Sequence, residues 1–153
     1  VAKNQSQLAA VVGHEIAHVI ARHGNERVST QLATSQALAL GYQFSGEDSA
    51  EKKAIFQALG IGVQVGIILP FSRTHESEAD LLGLEYMAKA GFDPRESVQL
   101  WRNMAAASSG STPELLSTHP SHDTRINDLQ TNMPNNLAVY DALVTRHKQA
   151  QCY

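Results

Sequence analysis

The chain has 153 residues, of which 42% are hydrophobic and 18% charged, and its formal net charge is −3 with seven neutral histidines. This length fits one compact domain with a buried core and leaves little room for two. The charge balance argues against a nucleic-acid-binding surface, because phosphate contacts require a clustered surplus of lysine and arginine. The single cysteine, Cys152, excludes an intrachain disulfide.

The first half of the chain predicts long helices separated by one polar loop. Residues 5–29 are good helix formers without proline, and an alanine- and leucine-rich pattern continues over 30–44. Residues 45–49 (SGEDS) predict a turn. The apolar stretch 54–71 reaches membrane-spanning length, but it contains two glutamines, three glycines and Pro70. We therefore interpret this stretch as a buried or lid-forming segment rather than a transmembrane helix.

The next elements are bounded by proline and glycine. Pro70 is expected to end one element, and Ser72 or Thr74 to cap the following helix. Gly91 predicts a left-handed stop to that helix. Residues 93–96 (DPRE) then combine an N-cap aspartate, a first-turn proline and a glutamate that completes a capping box.

The remaining residues also favour helices. Short helices are expected to begin at 112–114 and 120–121, and Pro134 is expected to separate a final helix that ends near Gln151. No stretch of convincing length alternates between apolar and polar residues as a strand does. The pattern predicts an all-α fold in a single domain over residues 1–153.

The motif with the clearest chemistry is HExxH, formed by His14, Glu15 and His18. Residues four apart lie on one face of a helix, so both imidazoles can reach the same metal ion. The glutamate lies about 100° round the helix, where it can hold a water without being a ligand. Three protein ligands with one open position is the catalytic arrangement of zinc. Apolar neighbours predict that this helix is deeply buried: Val11, Val12, Ile16, Val19 and Ile20.

The extended HExxH pattern of the metzincins does not supply the third ligand. That pattern places glycine and histidine at two later positions, which are held here by Ala21 and Gly24. His23 lies about 180° from His14 on a continuous helix, so it cannot reach the same ion from there. The ligand is therefore expected from elsewhere in the chain.

An acidic cluster at residues 72–80 is the predicted source of the third ligand. On a helical wheel Glu76 and Asp80 share one face, whereas Glu78 lies on the opposite stripe. Glu76 is the predicted third ligand, and Asp80 is the predicted carboxylate that orients a ligating histidine. The alternative for this cluster is an exposed acidic helix start, which the helix macrodipole also favours.

Three motifs occur in order: GHEIAHVIARH, SRTHESEADLLGLEYMAKAGFDP and STHPSHDTRI. Together they resemble the gluzincin zinc metallopeptidases of the CAAX prenyl protease and HtpX type. The likeness is closest to soluble bacterial members of the cell envelope, which act in outer-membrane protein quality control. It implies a periplasmic or membrane-associated peptidase that holds one Zn²⁺ ion. Its implied partners are unfolded or misassembled polypeptides and membrane-associated proteins, and not nucleic acid.

The resemblance also implies roles for single residues. Its ExxxD portion gives Glu76 as the third zinc ligand and Asp80 as a supporting carboxylate. Its HPxxxxR portion draws attention to His119 and Arg125. In such enzymes this portion lies over the cleft, where a histidine can face the metal and an arginine can contact the scissile group.

The N-terminus departs from the family pattern. Zinc proteases of this type usually place a small sheet before the HExxH helix, and its edge strand pairs with the substrate backbone. Only thirteen residues precede His14, which is too few for that sheet. We therefore expect a zincin-like domain without its N-terminal sheet, forming the C-terminal part of a longer protein.

The predicted reaction is peptide-bond hydrolysis. The metal activates a water, and Glu15 accepts its proton and passes it to the leaving amine. Arg125, His119 and His122, in that order, are candidate donors to the developing oxyanion. His119 precedes a proline and is therefore held extended, so the other hypothesis is that it closes over the metal as a fourth ligand in a resting state.

Two other classes of function are consistent with parts of the sequence. A zinc-stabilised binding module could hold unfolded clients without cutting them, but it has no need of a base at Glu15. A metal-free helical adaptor would leave two buried histidines without a partner that offsets the cost of burying them.

Overall fold

The computed structural model describes residues 1–107 and 123–146. The helices are α1 (Gln5–Ile20), α2 (His23–Phe44), α3 (Ala50–Val63), a π-helical segment (Gln64–Ile68), α4 (Leu69–Lys89), α5 (Arg95–Ala107) and α6 (Asp123–Arg146). No strand occurs within the described ranges, which confirms the predicted all-α fold.

The chain folds into two compact units. One consists of Val1–Ala21 and Glu76–Tyr153, and the other of Arg22–His75. The first contains the apolar core, in which α1 and α6 both contact α5. The side chains of that core are Ala10, Leu84, Met87, Val98, Leu100, Trp101, Met104 and Leu129.

The predicted continuous helix over residues 5–29 is wrong, because the chain breaks after α1. The N–H of Ala21 closes the last turn by donating to the carbonyl of Ala17 at 2.9 Å. Arg22 then adopts the left-handed conformation, with φ of 59°. This conformation costs a non-glycine residue about 1–2 kcal/mol, and arginine gives no sequence signal for it.

Helix α1 is buried along one face only. The buried face carries Gln7, Ala10, Gly13, His14 and Ala17. The prediction of deep burial on all sides is wrong, since Val12, Ile16, Val19 and Ile20 are between 45% and 76% exposed. Among the described residues, neighbouring side chains cover this apolar stripe only in part, and hydrophobicity alone does not report which face a neighbour covers.

The backbones of helices α1 and α4 come close together at two glycines. A Cβ built on Gly83 would lie 2.8 Å from the backbone nitrogen of His14, and a Cβ on Gly13 would lie 3.0 Å from the carbonyl oxygen of Gly83. These distances are shorter than van der Waals contact, so neither position has room for a side chain. The two glycines therefore set how close the helices lie.

The start of α5 is capped as predicted, but the glutamate of the capping box has another role. Gly91 has φ of 81° and ends α4, as expected. The Asp93 carboxylate accepts the N–H of Arg95 at 3.0 Å. The N–H of Asp93 donates instead to the Ser6 hydroxyl at 3.2 Å. Glu96 is thereby released to accept hydrogen bonds from the side-chain amides at the start of α1, those of Asn4 and Gln7.

The second unit contains a hairpin of α2 and α3. Residues 45–49 form the predicted loop, and Ser49 caps α3 by accepting the N–H of Lys52 at 3.1 Å. The ring of Phe56 lies 5.3 Å from that of Tyr42 and packs against Gly41, where a Cβ would meet it at 3.3 Å.

The apolar segment is exposed, so the prediction that it is buried is wrong. No residue of 54–68 is buried, because neighbouring helices cover little of its surface among the described residues. One helical stretch, Ala50–Lys89, is long and apolar enough to cross a membrane by length and composition, with a mean hydropathy of 1.9 in its most apolar window.

Pro70 and Pro134 were expected to separate helices, but both lie within helical stretches. The π-helical segment leads directly into α4, so Pro70 lies inside one helical stretch, Ala50–Lys89, and does not end an element. Ser72 and Thr74 consequently lie inside α4 rather than at its N-cap. Pro134 lies inside α6, which stays continuous through it, and the residues of α6 that pack in the apolar core precede it: Ile126, Leu129 and Met133.

We predict that Gly83→Ala destabilises the chain by about 1–3 kcal/mol, because the added methyl group overpacks the crossing against backbone that cannot rotate away. Urea unfolding followed by helical circular dichroism measures the effect. Gly60→Ala is the matched control, since nothing lies within 4 Å of its added Cβ and alanine is the better helix former. Equal stability of the two variants would mean that the crossing is not tight.

Candidate metal centre

Two imidazoles one helical turn apart form the centre of the site. His14 is buried and His18 half-buried on α1, and their Nε2 atoms lie 3.0 Å apart. The i, i+4 spacing places both rings on the same face of the helix, as the HExxH motif predicts. Two ring nitrogens therefore point into one small volume.

Helix α4 adds a carboxylate to this pair. Glu76 is buried, with Oε1 3.3 Å from Nε2 of His18 and Oε2 3.5 Å from Nε2 of His14. One ligand atom from each of these residues lies within 4.8 Å of the others. Two histidine nitrogens and one carboxylate oxygen are a donor set that catalytic zinc sites use, so the residues present fit this ion.

The acidic residues next to Glu76 lie on the sides of α4 that the helical wheel predicts. Asp80 is buried one turn beyond Glu76, and its Oδ1 lies 3.0 Å from Nδ1 of His14. A carboxylate there favours the tautomer with a proton on Nδ1, which leaves Nε2 bare for a metal. Glu78 is exposed on the other side of α4.

Glu15 follows His14 on α1 and is exposed. It nevertheless lines the same cavity as His14 and Asp80, together with residues of the apolar core. A carboxylate that reaches both solvent and the metal-ligand cluster can exchange protons with either.

Arg125 is 1% exposed and binds the two buried carboxylates. Its Nε and Nη2 donate to the two oxygens of Asp80 at 2.5 and 2.7 Å, and its Nη1 donates to Oε2 of Glu76 at 3.0 Å. The guanidinium carbon also lies 3.8 Å from the ring centroid of Trp101. The sequence predicts Arg125 at the site, but it gives no signal for Trp101, which lies in a different helix.

The buried carboxylates change the protonation of His14. Burial by itself lowers the pKa of this imidazole, but hydrogen bonds to Asp80 and Glu76 outweigh burial and raise the pKa from 6.5 to about 9. In the metal-free chain, a protonated His14 therefore stabilises the fold at neutral pH.

The remaining histidines of interest lie apart from this cluster or outside the described residues. His119 and His122 fall outside the described ranges. His23 stacks on His75 with ring centroids 4.2 Å apart, and His75 lies 3.0 Å from Glu26. His23 is not a member of the candidate ligand group.

Comparison with known proteins relates the chain to metalloendopeptidases. The model of peptidase family M48 matches residues 1–133. The mitochondrial metalloendopeptidase OMA1 of Schizosaccharomyces pombe is 37% identical over 86% of the chain and 38% of its own length. OMA1 of Arabidopsis thaliana is 34% identical over 80% of the chain and 24% of its own length. The β-barrel assembly-enhancing protease of Escherichia coli K12 is 33% identical over 82% of the chain and 27% of its own length.

The chain thus spans between 24% and 38% of the length of these three relatives. No solved structure matches it.

We predict that the metal-free chain loses stability as the pH rises from 6.5 to 9. Because the folded-state pKa of His14 exceeds the unfolded value, its contribution is complete below pH 6.5 and is lost as the pH passes about 9. The melting temperature in the presence of a chelator should fall by a few degrees over this range. His14→Gln, which has no ring proton to lose, should not show this fall, and the same fall in both chains would contradict the assignment.

Proposed function

Because the chain belongs to peptidase family M48, we propose that it is a zinc-dependent endopeptidase that hydrolyses peptide bonds of unfolded or misassembled polypeptides. The convergence of His14, His18 and Glu76 on one small volume carries the proposal. This convergence joins residues 62 positions apart in the chain (14 to 76), and two histidines with one glutamate are a ligand set that catalytic zinc sites use.

The proposed ligands of one Zn²⁺ ion are His14, His18 and Glu76. When bound there, the ion would act as a Lewis acid that activates a water and polarises the scissile carbonyl. Asp80 holds the ring of His14 through its Nδ1 hydrogen bond, so that Nε2 stays directed at the other two donors.

Glu15 is the proposed general base. Its carboxylate takes a proton from the attacking water as the carbonyl carbon becomes tetrahedral, and then delivers that proton to the leaving amine. Its place next to His14, on the rim of the same cavity, supports this role. His119 is proposed to face the open side of the site, either as a donor to the oxyanion or as a gate.

The relatives and the exposed surface both support the proposed substrate class. One group of relatives is named as proteases that enhance β-barrel assembly. The apolar stripe of α1 and the exposed segment 54–68 offer surface to extended apolar chains. We propose a location in a bacterial cell envelope, periplasmic or membrane-associated, with membrane-associated partners; the β-barrel assembly-enhancing relatives support this location, whereas the OMA1 relatives are mitochondrial.

We predict that Glu15→Gln retains zinc near one equivalent but lowers cleavage of unfolded casein by more than about 100-fold, since the ligands are intact and the base is lost. Metal analysis and initial cleavage rates measure the two effects. Glu78→Gln is the control, because Glu78 is an exposed glutamate outside the site. Cleavage by the Glu15→Gln chain at a near wild-type rate would remove Glu15 from the mechanism. Zinc binding without cleavage in the wild-type chain would favour the binding module.

We predict that Glu76→Ala loses most of its zinc while Glu78→Ala keeps it. Glu76 lies beside both imidazoles, whereas Glu78 is two residues further on and exposed. Competition of each variant with a fluorescent zinc chelator gives the affinities. Equal affinities in the two variants would show that the third ligand lies elsewhere.

A further inference from the structure

Arg125 is a buried cation for which the proposed reaction has no proton-transfer role. It lies between two carboxylates on one side and the ring of Trp101 on another. Charged side chains are almost never fully buried unless they are paired, so these contacts define what this residue does. An arginine held by two carboxylates and an aromatic face has little freedom to turn towards a substrate.

The two oxygens of Glu76 have different partners. Oε2 accepts a charge-assisted hydrogen bond from Nη1 of Arg125 at 3.0 Å and lies 3.5 Å from Nε2 of His14, and Oε1 lies 3.3 Å from Nε2 of His18. The hydrogen bond draws electron density from Oε2 and makes it a poorer metal donor than an oxygen without this bond to a cation. Oε1 lies beside the imidazole of His18, which is a predicted ligand.

We propose that Arg125 and Trp101 form a carboxylate clamp that restricts Glu76 to binding the metal ion through Oε1 alone. This inference rests on the proposed function. A carboxylate that bound through both oxygens would fill the position that catalytic zinc keeps open. By holding Oε2, the clamp keeps that position available, so Arg125 is a positioning residue rather than a donor to the oxyanion.

The same guanidinium also fixes the second carboxylate. Arg125 binds both oxygens of Asp80, and Oδ1 of Asp80 in turn contacts Nδ1 of His14. One planar cation therefore orients one ligand directly and another through a carboxylate. Lysine carries the same charge but has a single nitrogen, so it cannot reproduce this fork.

Trp101 holds the cation in place from a third direction. Its ring is buried, and the guanidinium carbon lies 3.8 Å from the ring centroid, which is a close cation–π contact. The indole excludes water from one face of the guanidinium, and exclusion of water strengthens its bonds to the carboxylates. The aromatic face, rather than the volume of Trp101, is the property that the clamp requires.

The experiment uses Co²⁺ in place of zinc, because its visible absorption weakens as coordination rises from four to five. The wild-type chain should show the strong bands of a four-coordinate ion. Arg125→Lys should still bind one equivalent of Co²⁺, but with weaker bands, since Glu76 is then free to bind through both oxygens. The zinc form of this variant should lose about 10–100-fold in kcat with little change in KM. Arg102→Lys, at an exposed arginine of α5, is the matched control and should match the wild type.

Three outcomes would overturn the clamp. The first is that the Co²⁺ bands are unchanged in Arg125→Lys. If kcat falls in that variant although its bands are unchanged, Arg125 contacts the substrate rather than positioning Glu76. A fall in kcat of the same size in Arg102→Lys would show that the loss is not specific to the site. A wild-type chain that binds no Co²⁺ would overturn the proposed function together with the clamp.

A second pair of variants keeps the test valid if Arg125→Lys does not fold. Trp101→Phe keeps an aromatic face and should retain the strong bands, whereas Trp101→Leu keeps an apolar side chain without that face and should weaken them. Equal spectra in these two variants would overturn the role of the aromatic ring.

Discussion

The contact of two backbones at Gly13 and Gly83 is the constraint on which the metal centre depends. Bonds between a zinc ion and its nitrogen or oxygen ligands are only about 2 Å long. The helices that carry these ligands must therefore lie close together before an imidazole and a carboxylate can bind the same ion. A single methyl group at Gly83 would lie 2.8 Å from the backbone of His14. Because Gly13 directly precedes His14, this backbone contact lies next to the first of the proposed ligands. The tight packing is therefore a condition of the chemistry as well as of stability.

Local spacing predicted the parts of the site that lie within one helix. The i, i+4 relation of His14 and His18 and the shared face of Glu76 and Asp80 follow from helical periodicity, and the structure brings these four side chains together. Periodicity could not show that Trp101 would contact Arg125, since that pairing depends on how α5 and α6 pack. It also could not show that one face of α1 is exposed, because an apolar residue looks the same whether or not a neighbour covers it.

The errors at helix boundaries have a common physical origin. Arg22 breaks a helix although arginine is a good helix former, and Pro134 leaves α6 unbroken although proline is a poor one. In both cases the local backbone preference of the residue is overridden, at a cost of about 1–3 kcal/mol, and a sequence pattern reports only that local preference. Gly91 and Asp93 were predicted correctly because their stabilising hydrogen bonds lie within a few residues along the chain.

The position of Trp101 gives the protein an intrinsic optical reporter. It is the only tryptophan in the chain, so its fluorescence arises from one place. The indole lies 3.8 Å beneath the guanidinium of Arg125, and its ring centroid is 6.4 Å from that of His14 in an edge-on arrangement. Emission from an indole responds to nearby charge, and a protonated imidazole quenches it. We therefore expect the wavelength and intensity of Trp101 emission to report the protonation state of His14 without an added label.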